Sequence, residues 1–477
     1  MKVIKNYLYN AGYQILIMLA PLLTTPYVAR VLGPRESGIN TYTNGWVTLF
    51  YLVGQMGITL YGNREVAYNR DDIYKRSQTF WGIEALQAFT ITIALLIYLL
   101  AVFLFSTTFQ KYYFLQTFWI IAAGVDVSWY FEGLEDFKKT VTRNTIVKLI
   151  SICLIFLFVR NEGDLWKYIL LLSLAQLFGN LTLWPYLKDN VKWVSPRKWK
   201  PWKHLYPSIL FFIPTITTQV YLVVNKLMLG KIGQPASLGQ YDYSDRIVKL
   251  VLAIVTATGT VMLPHVANKF ANGDFKGVRK SLYSSFDFVT SLAVPMMFGL
   301  MAVSFKFAPW FLGEKYVHTG MVIFLEAPVI LFIAWSNVTG TQYLMPVNRV
   351  KEFTISVTIG AIVNIIANAI LIAPYAANGA SVATVISEFS VTAVQLYFVR
   401  TTIKRRKLFK NVWRYLLPGL LMFLIVFRFN QIMHMNIINL VAQIVIGCIV
   451  YGIGLLIFKA PIVKQATQIF FEKKQSK

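Results

Sequence analysis

The stretch ILIMLAPLLTTPYVARVLGPRESGINTY (residues 15–42) joins an apolar run of membrane-spanning length to a Gly-Pro turn, and places one arginine, Arg30, just ahead of that turn. A guanidinium at the centre of a lipid-facing helix costs roughly 2.5–3.5 kcal/mol even on insertion-based scales. Arg30 therefore either reaches an interface or faces something inside the protein that holds negative charge. Both answers make this stretch a membrane span.

Outward from it, windows of about twenty predominantly apolar residues, the length needed to cross a bilayer, recur along all 477 residues. We read fourteen spans, near 9–32, 41–61, 80–105, 111–131, 144–160, 165–186, 206–229, 246–265, 284–305, 318–343, 354–373, 379–399, 412–429 and 437–458. The chain is 56% hydrophobic and 14% charged, with a mean hydropathy of +0.55, whereas a soluble domain carries about 25% charged residues. The expected fold is all-α and integral to the membrane. The first span follows Lys2 and Lys5, but its apolar run is too long for a signal peptide and no small-residue cleavage site follows, so it reads as a retained helix.

A net charge of +25 raises the question of nucleic acid. Its distribution argues for topology instead. With the N-terminus in the cytoplasm, most of the 46 Lys and Arg lie inside, including KWVSPRKWKPWKH (192–204) and RTTIKRRKLFK (400–410). That asymmetry places both termini in the cytoplasm, and some of the basic excess is expected to rest against anionic headgroups. Cys153 and Cys448 fall inside spans, which speaks against a disulfide framework or a zinc site. The four histidines, His204, His265, His318 and His434, form no metal-binding motif, and no glycine-rich phosphate loop is present. Neither an enzyme nor a bound cofactor is expected.

The chain also repeats itself. VLGPRESGINTY (31–42) resembles MLGKIGQPASLGQY (228–241), Gly57 matches Gly259, and NRDDIYKRS (69–77) resembles NGDFKGVRKS (272–281), all at an offset of about two hundred residues. Each copy holds six spans, so the copies share one orientation in the membrane. Two such lobes facing each other across a central cleft form a transporter architecture. The expected divisions are an N-terminal six-helix lobe (1–187), a basic cytoplasmic linker (188–205), a C-terminal six-helix lobe (206–400), and an appended helix pair with a cytoplasmic tail (401–477).

Charged residues within spans are functional candidates by default. Aligning the two Leu-Gly landmarks puts Lys226 one position from Arg30. Lys148 lies about one turn into its span, and Arg246 and Lys249 share one helix face at i and i+3. Each has the alternative of anchoring at an interface. Asp126, in IIAAGVDVSWYF, is the carboxylate placed deepest in an apolar run, with Glu84, Asp287, Glu326 and Glu388 behind it. Asn364 and Asn368 suit interhelical hydrogen bonding, and Pro21, Pro26, Pro214, Pro264 and Pro295 suit kinked helices.

At this point the residues look familiar. PYVARVLGPRESGINTYTNGWVTLFYLVGQMGITLYGNREVA, DVSWYFEGLEDFKKTVTRN, GTQYLMPVNRVKEFTISVTIGAIVNIIANAILI and YAANGASVATVISE resemble Wzx-type oligosaccharide flippases of the MOP superfamily, which also holds the MATE exporters and lipid II flippases. The resemblance runs from about residue 5 to 400 and is most similar to Gram-positive capsule or exopolysaccharide flippases. It implies a MATE-like pair of six-helix bundles around a cationic central cavity, plus two C-terminal helices. The implied substrate is an oligosaccharide on undecaprenyl pyrophosphate, moved to the outer leaflet alongside a polymerase and glycosyltransferases. Arg30, Lys148, Lys226, Arg246 and Lys249 would meet the pyrophosphate, and Asp126 would couple transport to an H+ or Na+ gradient. A MATE-type drug exporter is the alternative but should favour acidic cavity residues. A membrane polymerase or ligase should show a long outside loop.

The topology is testable in a cysteine-free background. Cysteines introduced at Gly163 and Lys200 should label from outside and only after permeabilisation, respectively. The reverse pattern overturns the orientation.

Overall fold

Helix is the only regular structure among the described residues, as expected of a chain in lipid, where each backbone N–H and C=O must find its partner within the protein. The computed structural model describes residues 2–105 and 108–463, and side chains from Leu22 onward except 213–215, 217, 218, 220–222, 258–261, 263 and 264. Pro21, Pro214, Gly259 and Pro264 thus lie outside the described side chains. The helices are α1 (Lys2–Gln55), α2 (Ile58–Tyr68), α3 (Ile73–Phe105), α4 (Gln110–Gly124), α5 (Ser128–Gly133), α6 (Phe137–Phe158), α7 (Leu165–Leu181), α8 (Trp202–Ile232) and α9 (Pro235–Ala271). There follow α10 (Phe275–Leu312), α11 (Thr319–Glu326), α12 (Val329–Ser336), α13 (Val350–Val399), α14 (Arg405–Leu408), α15 (Trp413–Ile432) and α16 (Ile437–Ile457).

Every span read from the sequence falls on helix. Eight helical stretches, from Ile73–Phe105 to Ile437–Ile457, are long and apolar enough to cross a membrane. The other expected spans fall on the two halves of α1, on α4 with α5, on α8 and on α9. Single residues turn long helices into pairs. Gly33 (φ 73°, ψ 173°) breaks α1, and Ala376 (φ 48°, ψ −122°) breaks α13. The positive φ at Gly33 suits a residue without a Cβ, and Pro34 then opens the next segment, where a missing N–H costs nothing.

The chain packs as two compact units, Met1–Gly239 and Gln240–Lys477. This division places α8 with the first unit, beyond the basic linker at 188–205. The reason is visible in its contacts: Ser208 Oγ donates to Met56 O at 2.7 Å, Tyr61 Oη meets His204 Nδ1 at 2.7 Å, and a methyl on Gly57 would lie 2.7 Å from Ser208 O. The first unit's core includes Trp129, Tyr130, Phe131 and Phe80, all fully buried. In the second unit α10 packs on α11, α12 and α15. The halves of α13 fold back on each other, with Ser387 Oγ donating to Gly360 O at 2.8 Å. Large apolar side chains left outside, such as Leu96, Leu100 and Phe103 on α3 and Ile438, Ile449 and Ile453 on α16, find their cover in lipid.

The repeat has a physical counterpart within the first unit. Gly38 and Gly239 occupy matching positions, each four residues after a proline, Pro34 and Pro235. A methyl built on Gly38 would lie 1.7 Å from Pro235 O, and one on Gly239 would lie 2.0 Å from Pro34 O. The contact is reciprocal, as a local two-fold demands. Because each obstacle is backbone rather than a movable side chain, relief requires the helices to separate. Gly38→Ala should therefore destabilise the protein by about 1–3 kcal/mol. Gly452→Ala, whose new methyl would meet nothing within 4 Å, should not. Melting of the detergent-solubilised proteins checks this, and equal melting of both variants would remove the crossing.

Candidate functional site

Helix α4 stops at Gly124 and α5 starts at Ser128, so residues 125–127 interrupt a membrane-spanning stretch with non-helical backbone. Such a break is tolerated in a bilayer only where the freed polar groups find partners. Here side chains supply them. Ala122 O accepts from Asn180 Nδ2 at 2.7 Å, Ala123 O from Gln87 Nε2 at 2.7 Å, and Val125 O from Trp184 Nε1 at 2.9 Å. Gln87 Nε2 also reaches Asp126 O at 3.0 Å, while its Oε1 accepts from Trp129 Nε1 at 3.1 Å. Asp126 Oδ1 accepts from the Ser128 N–H at 2.9 Å, an Asx turn that leads into the short helix α5. Asn180 Oδ1 in turn receives the Arg143 guanidinium and Gln176 Nε2.

Beside the break lies a cavity of about 220 Å³ lined by Asn44, Val47, Thr48, Tyr51, Trp119, Ala123, Asp126, Gln176 and Asn180. Asp126 is its one carboxylate, among amides and hydroxyls. Tyr51 and the buried Glu84 stand within electrostatic reach of Asp126. The volume is below the roughly 300–1,000 Å³ of pockets for drug-sized ligands. It has room for a proton with water or for a small hydrated cation. Gln116 holds the neighbouring wall in place: it accepts from Asn44 Nδ2 at 3.3 Å and donates to Thr43 Oγ1 at 3.3 Å, tying α4 to α1.

The structure places the basic candidates as follows. Arg30 is exposed, one turn before the break at Gly33. Lys148, half-buried, is on α6 five residues after Arg143, and Lys226 is half-buried on α8. Arg246 and Lys249 do share one helix, but each already holds a carboxylate one turn back. Arg246 Nη2 lies 2.7 Å from Asp242 Oδ2, and Lys249 Nζ lies 2.8 Å from Asp245 Oδ2. The i,i+4 spacing in DYSDRIVK carried that pairing in the sequence, where only the basic members were singled out.

Among the acids, Glu326 is buried and accepts from Ser244 Oγ at 2.6 Å, and Asp287 accepts from Asn411 Nδ2 at 3.2 Å. Glu388 is half-buried on α13. Asn368 Nδ2 donates to Asn364 Oδ1 at 2.8 Å along their own helix, where an interhelical bond was expected. Of the sequence candidates, only Asp126 lines the cavity. Its companions Asn180, Gln176 and Gln87 were missed because neutral amides carry no penalty large enough to stand out in an apolar span; the signal available was their recurrence in spans.

Residues 3–269 match the family described as polysaccharide biosynthesis protein, and residues 149–446 match the family described as lipid II flippase MurJ. A candidate O-antigen transporter of Escherichia coli (strain K12) is 23% identical over 404 residues, covering 83% of this chain and 96% of its own. The fold is that of lipid II flippase MurJ in an inward closed conformation, with a TM-score of 0.75, 14% identity, and coverage of 96% of this chain and 100% of that one. An inward-facing MATE family multidrug resistance transporter of the MOP superfamily follows with a TM-score of 0.64 at 12% identity, covering 84% and 98%.

The amides that satisfy the broken helix have a measurable weight. Gln87→Leu removes the donor to Ala123 O and Asp126 O and the acceptor of the Trp129 indole N–H, leaving Ala123 O only the 3.5 Å bond from the Asp126 N–H, and should cost about 1–2 kcal/mol for each group left buried and unsatisfied. Gln176→Leu removes one long bond and should cost far less. Thermal melting of the two variants side by side tests the account; a Gln87→Leu protein that melts with the parent contradicts it.

Proposed function

The chain belongs to the polysaccharide biosynthesis protein family, and on that premise we propose that it flips an undecaprenyl-pyrophosphate-linked oligosaccharide from the inner to the outer leaflet of the plasma membrane by alternating access. The observation that carries this reading is the likeness to a candidate O-antigen transporter over 96% of that protein's length. It is supported by the fold of a lipid II flippase over 96% of this chain. In this reading the chain serves assembly of a capsule, exopolysaccharide or related polymer, next to a polymerase and glycosyltransferases. Both termini face the cytoplasm, as the distribution of Lys and Arg favours.

The physical demand is set by the substrate's parts. The polyprenyl tail is stable in lipid, the sugars are not, and the pyrophosphate needs paired positive charge to leave water. We assign that charge to Arg30, Lys148, Lys226, Arg246 and Lys249. Arg246 and Lys249 already engage Asp242 and Asp245, so their contribution requires an exchange of partners. Arg30 ranks first, since a guanidinium fork matches phosphate oxygens in a way an ammonium does not. Coupling to an H+ or Na+ gradient is assigned to Asp126 and the small cavity it lines. A carboxylate beside amide and hydroxyl ligands accepts either ion, and charge neutralisation there bears on the broken α4–α5 stretch it belongs to.

Deleting the gene should leave a lipid-linked oligosaccharide accumulated on the inner leaflet, and restoring it should clear that pool. Without accumulation the proposed function fails. A charge-assisted contact is worth roughly 1.5–3 kcal/mol, so Arg30→Ala should cut flipping on the order of tenfold to a hundredfold at unchanged membrane abundance. Arg30→Lys should retain part of the activity. Full activity in both would return Arg30 to the role of an interfacial anchor. Asp126→Asn should abolish the ion dependence of transport, and an unaltered dependence would remove Asp126 from coupling.

A further inference from the structure

The basic segment 188–203 is built, in this structure, as a rigid ledge on the first unit. Its backbone is held from below: Asn190 O accepts from Tyr130 Oη at 2.8 Å and from Arg76 Nη2 at 3.0 Å, and Lys192 N donates to Ser77 Oγ at 2.9 Å. Lys192 O accepts from Trp81 Nε1 at 3.1 Å, and Lys198 O from Gln78 Nε2 at 2.7 Å. Three indoles lock above these bonds. Trp81 stacks on Trp199 with centroids 5.4 Å apart, and Trp193 stands edge-on to both at 5.0 and 5.8 Å. These spacings close the cluster against any cation between the rings, so it is a solid block rather than an aromatic cage.

What the ledge presents is charge and aromatic surface. Lys188, Lys192, Arg197, Lys200 and Lys203 are exposed, against one acid, Asp189, in the same segment. Trp193 is 69% exposed and Trp202 60%. Its height relative to the bilayer is given by two lipid-facing stripes. On α3 the exposed apolar run Phe89, Ile93, Leu96 and Leu100 begins at Phe89, whose ring packs edge-on against Trp202 at 5.0 Å. On α8 the exposed Trp202, Tyr206 and Leu210 follow one another at i+4. Trp202 thus marks the boundary where hydrocarbon gives way to headgroups, the level at which Trp and Tyr collect. Lys203 adjoins Trp202, while Lys192 and Trp193 attach at Ser77 and Trp81, roughly 12–18 Å further along α3 on the polar side of the apolar stripe.

We propose that this ledge is a binding surface for anionic phospholipid headgroups, with Trp202 entering the interface and Lys188, Lys192, Arg197 and Lys203 presenting positive charge to the phosphates on its polar side. The order already imposed on the backbone means that binding does not have to freeze a loop. A soluble acidic protein would have no use for an indole, Trp202, aligned with the lipid-facing stripes, which is why lipid is favoured. Each basic side chain near an anionic surface is worth roughly five-fold in association, and the attraction weakens with salt.

The test uses the full-length protein in zwitterionic detergent, titrated with phosphatidylglycerol or phosphatidylcholine and read by native mass spectrometry. The parent should bind phosphatidylglycerol in preference, and Lys188→Gln, Lys192→Gln, Arg197→Gln and Lys203→Gln combined should weaken it by tenfold or more with melting unchanged. Lys192→Arg with Lys203→Arg, which keeps the charge, should retain the preference. No preference in the parent, or equal affinity in parent and four-fold variant, overturns the proposal. Displacement of the lipid by a soluble poly-glutamate peptide at equal charge concentration also overturns it, in favour of an acidic protein partner.

Discussion

A peptide group in hydrocarbon has no water to fall back on, and this constraint shapes the break between α4 and α5. Where α4 breaks at residues 125–127, Gln87, Asn180 and Trp184 are spent on the carbonyls the helix leaves behind. The break in turn puts Asp126 beside a small polar cavity. Structure and candidate chemistry meet at Asn180, which satisfies Ala122 O and also lines that cavity.

The second recurring device is the absence of a side chain. Gly38 and Gly239 let two helix segments meet backbone to backbone, and Gly62 leaves room for the Trp129 ring, which a methyl would approach within 2.6 Å. Without a hydrophobic drive between helices in lipid, close packing of this kind carries much of the association. The pairing of Gly38 with Pro235 and of Gly239 with Pro34 also gives the internal repeat a meaning that a sequence match lacks, because the repeated positions touch.

Charge is distributed by a third logic. Arg246 and Lys249 lie next to Asp242 and Asp245, an arrangement that lowers the cost of holding cations in a span. The 188–203 ledge does the opposite. It leaves its cations exposed on the surface, with Asp189 as the one acid in the segment.

The sequence by itself determined the membrane class, the positions of the spans, the repeat and the family resemblance. These follow from composition and period, which a bilayer reads one residue at a time: a long apolar run must cross, and Gly33 with Pro34 must turn. It also marked Asp126, since a carboxylate in an apolar run is conspicuous on energetic grounds alone. Only the tertiary structure decided that the compact division falls after Gly239, that Arg246 and Lys249 hold carboxylates, and that Gln87 and Asn180 complete the broken helix. Those facts depend on which neutral side chain from a distant helix reaches which carbonyl. A hydrogen bond of 2.7 Å between Asn180 and Ala122 is a matter of geometry between helices, and nothing in the local sequence of either residue encodes its partner.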